Sequence, residues 1–254
     1  MKRYDAIVIG GGPAGSYVAY KLAEAGYGVV VLEHKRTLGE PVCCTGVIGR
    51  EYVNSFATDN SVILRQVNSA RLLSPSGKCL RLWREEIQAY IIDRAAFNVA
   101  MGSQAQDAGA EYVLNSLVDN IEVGDDKVRV EATHQEERLN FEARVVIIAT
   151  GFGSGLVQKL GLGKISDFVI GAQAEVETIG VDEIEVYFGQ EIAPGFFAWL
   201  VPTSPQTARV GLLSRQSPGL YLKKLMASLL AQGKIVSAEA ELRWYSTETT
   251  GQNP

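Results

Sequence analysis

Residues 6–9 form a short apolar run, Ala-Ile-Val-Ile, that stops at Gly10, the pattern of a strand buried on both faces. Pro13 suits the first turn of a following helix, where its missing N–H would have no acceptor anyway. Ala14, Val18, Leu22 and Ala25 then recur at helical spacing, and Gly26 is a natural C-terminal stop. A second apolar run at 29–32 ends in Glu33, so the chain opens with a predicted β-α-β unit.

Further on, residues 90–92 read as a strand end leading into Asp93, a good N-cap for a helix running to about 108 that Gly109 closes. Strand patterns follow at 112–114, 117–122, 127–133 and 138–141. The Gly124-Asp125-Asp126 turn makes a hairpin of the middle pair. Residues 145–149 are another apolar run, ending in Thr150-Gly151. After Gly163 the texture changes to strands at 168–178, 183–188, 196–201 and 208–213, then one amphipathic helix at 220–231. The expected fold class is α/β. A Rossmann-like domain spans 1–163, and a second region of mostly antiparallel sheet plus helix spans 164–254. Segments 71–73 and 78–83, joined by Ser74-Pro75-Ser76-Gly77, predict a hairpin of that second region inserted early, within about 68–87.

Gly10-Gly11-Gly12-Pro13-Ala14-Gly15 satisfies the G-x-G-x-x-G pattern. Gly10 permits the tight turn, Gly12 lets a pyrophosphate approach the backbone, and Gly15 lets helix and strand pack closely. Alone the pattern is weak. Here it follows a strand, opens a helix, and precedes an acidic residue at the next strand's end, where ribose hydroxyls are held. Glu33 would repel a 2′-phosphate, which disfavours NADP and leaves NAD and FAD, although Lys35 and Arg36 lie close in sequence. In the second Gly-rich turn, Gly151-Phe152-Gly153-Ser154-Gly155, Leu156 stands where a third glycine would be needed. That segment reads as a turn bringing a strand end toward the cofactor.

Composition adds exclusions. Hydrophobic residues at 46% and charged residues at 21% are those of a globular chain. A net charge of -5 argues against nucleic-acid binding. Cys43, Cys44 and Cys79 make no disulfide framework, and with only His34 and His134 beside them there is no metal-ligand spacing. A reducing cytoplasm is the expected compartment. No stretch approaches the ~20 apolar residues of a membrane span, and the start predicts no signal peptide. Membrane association would follow only from a lipid substrate. The sequence leaves the oligomeric state open.

Val145-Val146-Ile147-Ile148-Ala149-Thr150-Gly151, after a GGGPAG start, resembles the FAD-dependent hydroxylase and geranylgeranyl reductase group. Within it, Pro41-Val42-Cys43-Cys44-Thr45-Gly46 is similar to the Pro-x-x-Cys-x-Gly loop of the geranylgeranyl reductase family, which lies beside the isoalloxazine ring. Pro194-Gly195-Phe196-Phe197-Ala198-Trp199-Leu200-Val201-Pro202 resembles that family's Pro-x-x-Tyr-x-Trp-x-Phe-Pro segment, with Phe197 for Tyr and Val201 for Phe. The resemblance implies an FAD-binding domain with cofactor contacts at Gly10, Gly12, Pro13, Ala14, Gly15, Glu33, Cys44, Thr45, Val47, Arg94, Val118, Thr150 and Gly151. It makes Cys44 the catalytic candidate and gives Phe197 and Trp199 to the substrate. The family's Gly-Asp-Ala-Ala motif, whose aspartate binds the flavin ribityl and phosphate groups, has no match before Gln252-Asn253-Pro254. Gly124-Asp125-Asp126 sits in a predicted turn, so the expectation is a C-terminally incomplete member.

The residues alone leave two readings open at each sharp site. Cys44 also fits a small buried residue. Phe197, Trp199 and Val201 share one strand face and Phe196, Ala198 and Leu200 the other, so the aromatic face suits either core or an apolar channel. The function implied is reduction of C=C bonds in a geranylgeranyl lipid, pigment precursor or quinone, with NAD(P)H or another reductant as electron donor. The rivals are a flavin monooxygenase and a non-catalytic prenyl-binding escort.

Overall fold

The computed structural model describes residues 2–39, 44–56, 59–152, 154–164, 167–239 and 243–245. Its first elements are β1 (Lys2–Ile9), α1 (Pro13–Glu24), β2 (Val29–Leu32), β3 (Val47–Gly49), α2 (Arg50–Ser55), a 3-10 turn (Asn60–Val62) and β4 (Ile63–Val67). Next come β5 (Ser69–Leu73), β6 (Cys79–Trp83), β7 (Ala89–Ile92), α3 (Arg94–Asp107), β8 (Glu111–Val113), β9 (Ser116–Val123) and β10 (Val128–His134). The last are β11 (Glu137–Ile148), α4 (Gly155–Lys159), β12 (Ile170–Glu177), β13 (Ile184–Phe188), β14 (Phe197–Pro202), β15 (Thr207–Ser214), α5 (Pro218–Ala231) and β16 (Arg243–Tyr245). They gather into two compact units, Met1–Val42 with Ala95–Ile165 and Cys43–Arg94 with Ser166–Pro254. The early segment of the second unit is therefore wider than the hairpin read at 68–87.

The first unit is built on a sheet of order β8-β2-β1-β11-β10-β9. β8, β2, β1 and β11 are parallel, whereas β11, β10 and β9 run antiparallel. The apolar runs of β1 and β2 follow from burial on both sides. Ala6 and Val8 pack with Ala19, Ala23 and Ala105 of the helices, while Ile7 and Ile9 join Val30, Val118, Val130 and Phe141 on the opposite face. Small residues on α1 let the helix lie close. The sequence pattern separated 138–141 from 145–149; in the structure one strand, β11, covers both. Its early residues pair with β10 and its later ones continue along β1, so the polar Glu142 and Arg144 interrupt the hydropathy and not the strand.

The second unit holds a sheet of order β16-β12-β15-β14-β13-β5-β6 and a smaller one, β3-β7-β4. Leu222, Leu225, Met226 and Leu229 recur at helical spacing on α5 and bury against Ala174, Ala198, Leu200, Val210 and Leu212. Helix α5 is thus sheet cover. The opposite face of β14 meets Ile91 of β7, with Val67 and Ile184 beside it. Among the described residues no helix is long and apolar enough to cross a membrane.

One polar cluster of this unit titrates in a defined direction. Arg71 and Arg81 stand directly opposite each other on β5 and β6, and Glu183 bridges them, accepting from Arg71 Nε at 2.7 Å and from Arg81 Nε at 2.8 Å. The Arg81 guanidinium first, then the Ser69 hydroxyl and Arg71, hold the Glu183 carboxyl down to about 2. A depressed carboxyl contributes its stability in full above the unfolded value of about 4.3 and loses it as pH falls through the folded value. Replacing Glu183 by Gln is accordingly expected to lower stability at neutral pH and to flatten the fall in stability between roughly pH 4.5 and 2. Urea titrations across that range check it; a slope equal to that of the parent would remove Glu183 from the acid response.

Candidate functional site

In the first unit the glycines of the opening loop have different reasons to be bare. Gly10 takes φ +106°, and a Cβ there would stand 2.4 Å from the Ala149 carbonyl oxygen. A Cβ on Gly15 would stand 1.9 Å from the Gly10 carbonyl oxygen. Both are demanded by the fold itself. Gly12 differs, because nothing lies within 4 Å of a Cβ built on it. Its bareness leaves room for something beyond the protein. Helix α1 starts beside it with Gly12 as N-cap, Pro13 in the first turn, no side-chain cap and no acidic residue. Its first-turn N–H groups and positive end therefore suit an anion such as a pyrophosphate.

Glu33 closes the other side. It is only 5% exposed. Its Oε2 accepts the Gly11 N–H at 2.6 Å, its Oε1 accepts the Lys35 N–H at 2.9 Å, and His34 Nδ1 lies 3.0 Å from Oε1. Two backbone donors thus fix the direction of the carboxylate. Behind the loop Ser16 donates to the Gly11 carbonyl at 3.1 Å, and the Tyr112 hydroxyl donates to Ser16 Oγ at 2.9 Å. Burial pushes the Tyr112 hydroxyl up from its ordinary value, so it stays a neutral donor. Sequence reasoning missed this Ser16–Tyr112 brace, because the partners belong to elements about a hundred residues apart.

Thr150 and Gly151 follow β11, where the Ala149 N–H donates to the Ile9 carbonyl at 2.8 Å. The Thr150 Cα lies 3.2 Å from the Cβ that Gly10 lacks, and Gly151 takes φ +73°. The structure thus gathers Gly10 to Gly15, Glu33 and Thr150-Gly151 at the carboxyl ends of β1, β2 and β11, where open α/β sheets bind ligands. These residues fit a dinucleotide. Val118 sits apart, its side chain buried with Ile7 and Val130 next to a bulge in β9. Only its backbone could serve a ligand. Past Glu33 opens a cavity of about 640 Å³ lined by Arg36, Tyr112, Val113, Leu114, Asn115, His134 and Gln135. His134 is half-buried there, with Nδ1 3.1 Å from Ser116 Oγ and 3.0 Å from the Leu114 carbonyl.

In the second unit Cys44 is exposed, and its Sγ accepts the Gly46 N–H at 3.4 Å. Thr45 donates its hydroxyl to Gln173 Oε1 at 2.9 Å. Val47 is exposed at the start of β3, which pairs with β7, and half-buried Arg94 opens α3 two residues after β7 ends. Pro41, Val42, Cys43 and Gly153 lie outside the described residues. Trp199 is 8% exposed, packed with Ile91 and Val201, whereas Phe197 is half-buried. Their rings are 6.0 Å apart, and Phe188 and Phe196 lie 6.4 and 5.9 Å from Phe197. The alternation read from sequence holds, with Ala198 and Leu200 facing α5. Trp199 Nε1 is buried with no acceptor among the described residues. Three further residues serve this region: Gln173, Arg209 and Gly211. An arginine between Ala208 and Val210 on an apolar strand was the visible signal for one; its partners were not.

The loop, the acidic strand end and the returning strand define a dinucleotide-binding oxidoreductase fold, and the chain belongs to the pyridine nucleotide-disulphide oxidoreductase family, whose description matches residues 4–178. Among named proteins it is similar to the digeranylgeranylglycerophospholipid reductase of Methanocaldococcus jannaschii, 29% identical over 244 residues that cover 92% of this chain and 62% of the relative. The chain therefore spans about three fifths of the length of the curated relatives it matches. A geranylgeranyl bacteriochlorophyll reductase-like protein of Thermoplasma acidophilum superposes with a TM-score of 0.84 at 27% identity, covering 96% of this chain and 66% of that one. The p-nitrophenol 4-monooxygenase of Pseudomonas putida shares the fold with a TM-score of 0.75 at 17% identity, over 97% of this chain and 67% of that one. The resemblance to geranylgeranyl reductases drawn from the Gly10, Cys44 and Trp199 segments is borne out by the first two.

Proposed function

We propose that the protein to which this chain belongs is an FAD-dependent reductase of C=C bonds in a geranylgeranyl or other isoprenoid chain. The observation that carries this reading is similarity over 92% of the chain to a protein named as such a lipid reductase. The bare Gly12 beside an uncapped helix start and the buried Glu33 carboxylate support FAD at the first unit. There α1 would hold the pyrophosphate, Glu33 the ribose hydroxyls and the Val118 backbone the adenine. Cys44, Thr45, Val47 and Arg94 would hold the flavin end. When bound, reduced FAD supplies hydride for one alkene carbon. The chain's own residues supply the rest. Phe197 and Trp199 orient the isoprenoid and exclude water, and Cys44 delivers the proton to the other carbon. NAD(P)H or another reductant restores the electrons, and the lipid substrate brings the protein to a membrane surface.

The test uses the full-length protein with chemically reduced flavin and geranylgeranyl lipids. Product mass is expected to rise in units of two hydrogens; no rise across several such lipids overturns the reading. Incorporation of oxygen into an aromatic substrate while NAD(P)H is oxidised would support a monooxygenase instead. A full-length protein that binds prenyl lipid yet has no flavin absorption between about 350 and 500 nm would support an escort role. For Cys44→Ala, kcat is expected to fall about 100-fold with little change in the KM for lipid. An unchanged kcat would pass the proton to water.

A further inference from the structure

Arg209 stands on β15, between the buried Ala208 and Val210 and opposite Val201 of β14 and Glu175 of β12. Among the described residues no carboxylate pairs with it, although Glu175 is its neighbour across the ladder. Its Nη1 instead donates to two backbone carbonyls, Thr45 at 2.8 Å and Ile92 at 3.1 Å. These two carbonyls have a shared significance in the path of the chain. The early segment of the second unit is Cys43–Arg94. Thr45 lies near its start and Ile92 near its end. The Ile92 N–H also donates to the Gly46 carbonyl at 2.8 Å, so the two segments already touch where the guanidinium reaches them. Gly46, at φ +77°, leaves the space: a Cβ there would lie 2.5 Å from the Ile92 oxygen and 2.7 Å from Arg209 Nη1.

We infer that Arg209 is the positioning residue that holds the Cys44-Thr45 loop and the 92–94 segment in one arrangement. A cation donating to carbonyls makes the stronger, charge-assisted kind of hydrogen bond, and its planar fork fixes direction as well as distance. Gln173 adds a second tie through the Thr45 hydroxyl, a neutral bond and so the weaker of the two. The loop and that segment are separated by about fifty residues of chain, and one side chain from a third strand registers them. The inference goes beyond the proposed reaction and rests on that reading only for its cofactor readout.

The test is made on the full-length protein in a Cys43→Ser background, by peptide-resolved maleimide labelling of Cys44 with the exposed Cys79 as internal reference, together with FAD titration. In Arg209→Met, Cys44 labelling relative to Cys79 is expected to change roughly tenfold and the FAD Kd to rise roughly tenfold, with far-UV dichroism kept. Gln173→Leu, which removes the neutral tie to Thr45, should change both less than about threefold. Arg209→Lys, which keeps several donors on one nitrogen, should recover most of the difference. A folded Arg209→Met with the parental labelling ratio overturns the inference; if that variant does not fold, Arg209→Gln carries the same expectation and the same refutation. Should the full-length protein bind no FAD, the cofactor reading falls while the labelling ratio still decides the role of Arg209.

Discussion

Gly15→Ala is expected to destabilise the first unit by about 1–3 kcal/mol and to abolish measurable FAD binding. The added Cβ would lie 1.9 Å from the Gly10 carbonyl oxygen, with the Ala149 Cβ 3.2 Å away on another side. Alanine would gain about 0.5–1 kcal/mol of helix propensity over glycine, the one term in its favour. That gain loses, because the opposing atom is a backbone oxygen in a turn whose φ and neighbours are already set, and it has no rotamer to escape into. Gly12→Ala is the matching control. Its Cβ meets nothing within 4 Å, so thermal stability without ligand should stay within about 0.5 kcal/mol of the parent, yet FAD affinity should still fall sharply. Melting curves with and without added FAD separate the two. Equal losses of stability in both variants would mean that Gly12, too, serves only the fold.

The second large effect is expected at Gly211. A Cβ there would stand 2.5 Å from Cζ2 and 2.8 Å from Nε1 of Trp199. The indole has nowhere to go, because Ile91, Val201 and Ile184 pack around it. Gly211→Ala should therefore cost about 1–3 kcal/mol and alter the near-UV dichroism, while Trp199→Ala should cost about 3–5 kcal/mol through the cavity it leaves. Combining Gly211→Ala with Trp199→Leu should cost clearly less than the two single changes together, since the second removes what the first collides with. Additive costs would show that Gly211 serves something other than the indole. Trp199→Phe should be milder than lost area alone implies, because the buried Nε1 donor without an acceptor disappears with it.

Much of the first unit was legible because its signals are local. The strand, glycine turn, helix and acidic strand end fall within the first few dozen residues, and each element is reported by its own periodicity. The hairpin of β9 and β10 was legible for the same reason, its turn residues standing between two alternating runs. Of the small sheet β3-β7-β4 only the strand end at 90–92 was read. β3 has three residues and Arg65 and Gln66 interrupt β4, and both strands gain stability from partners distant in sequence. The parallel pairing of β5 with β13 joins residues more than a hundred positions apart, so no window along the chain contains it.

The division runs the same way at the candidate site. Local sequence announced which residue types stand ready: glycines where backbone must approach backbone or ligand, Glu33 at a strand end, Cys44 in its loop, and Trp199 on an apolar strand. It could do so because those choices depend on covalent chemistry and near neighbours. The folded chain alone reveals that Gly15 answers to Gly10 and Gly12 to open space, that Ser16 and Tyr112 brace the loop, that Gly211 makes room for an indole, and that Arg209 ties together the two ends of the second unit's early segment. Those are choices of partner across the fold, and partners at long range are set by packing and register, quantities that no stretch of sequence carries alone.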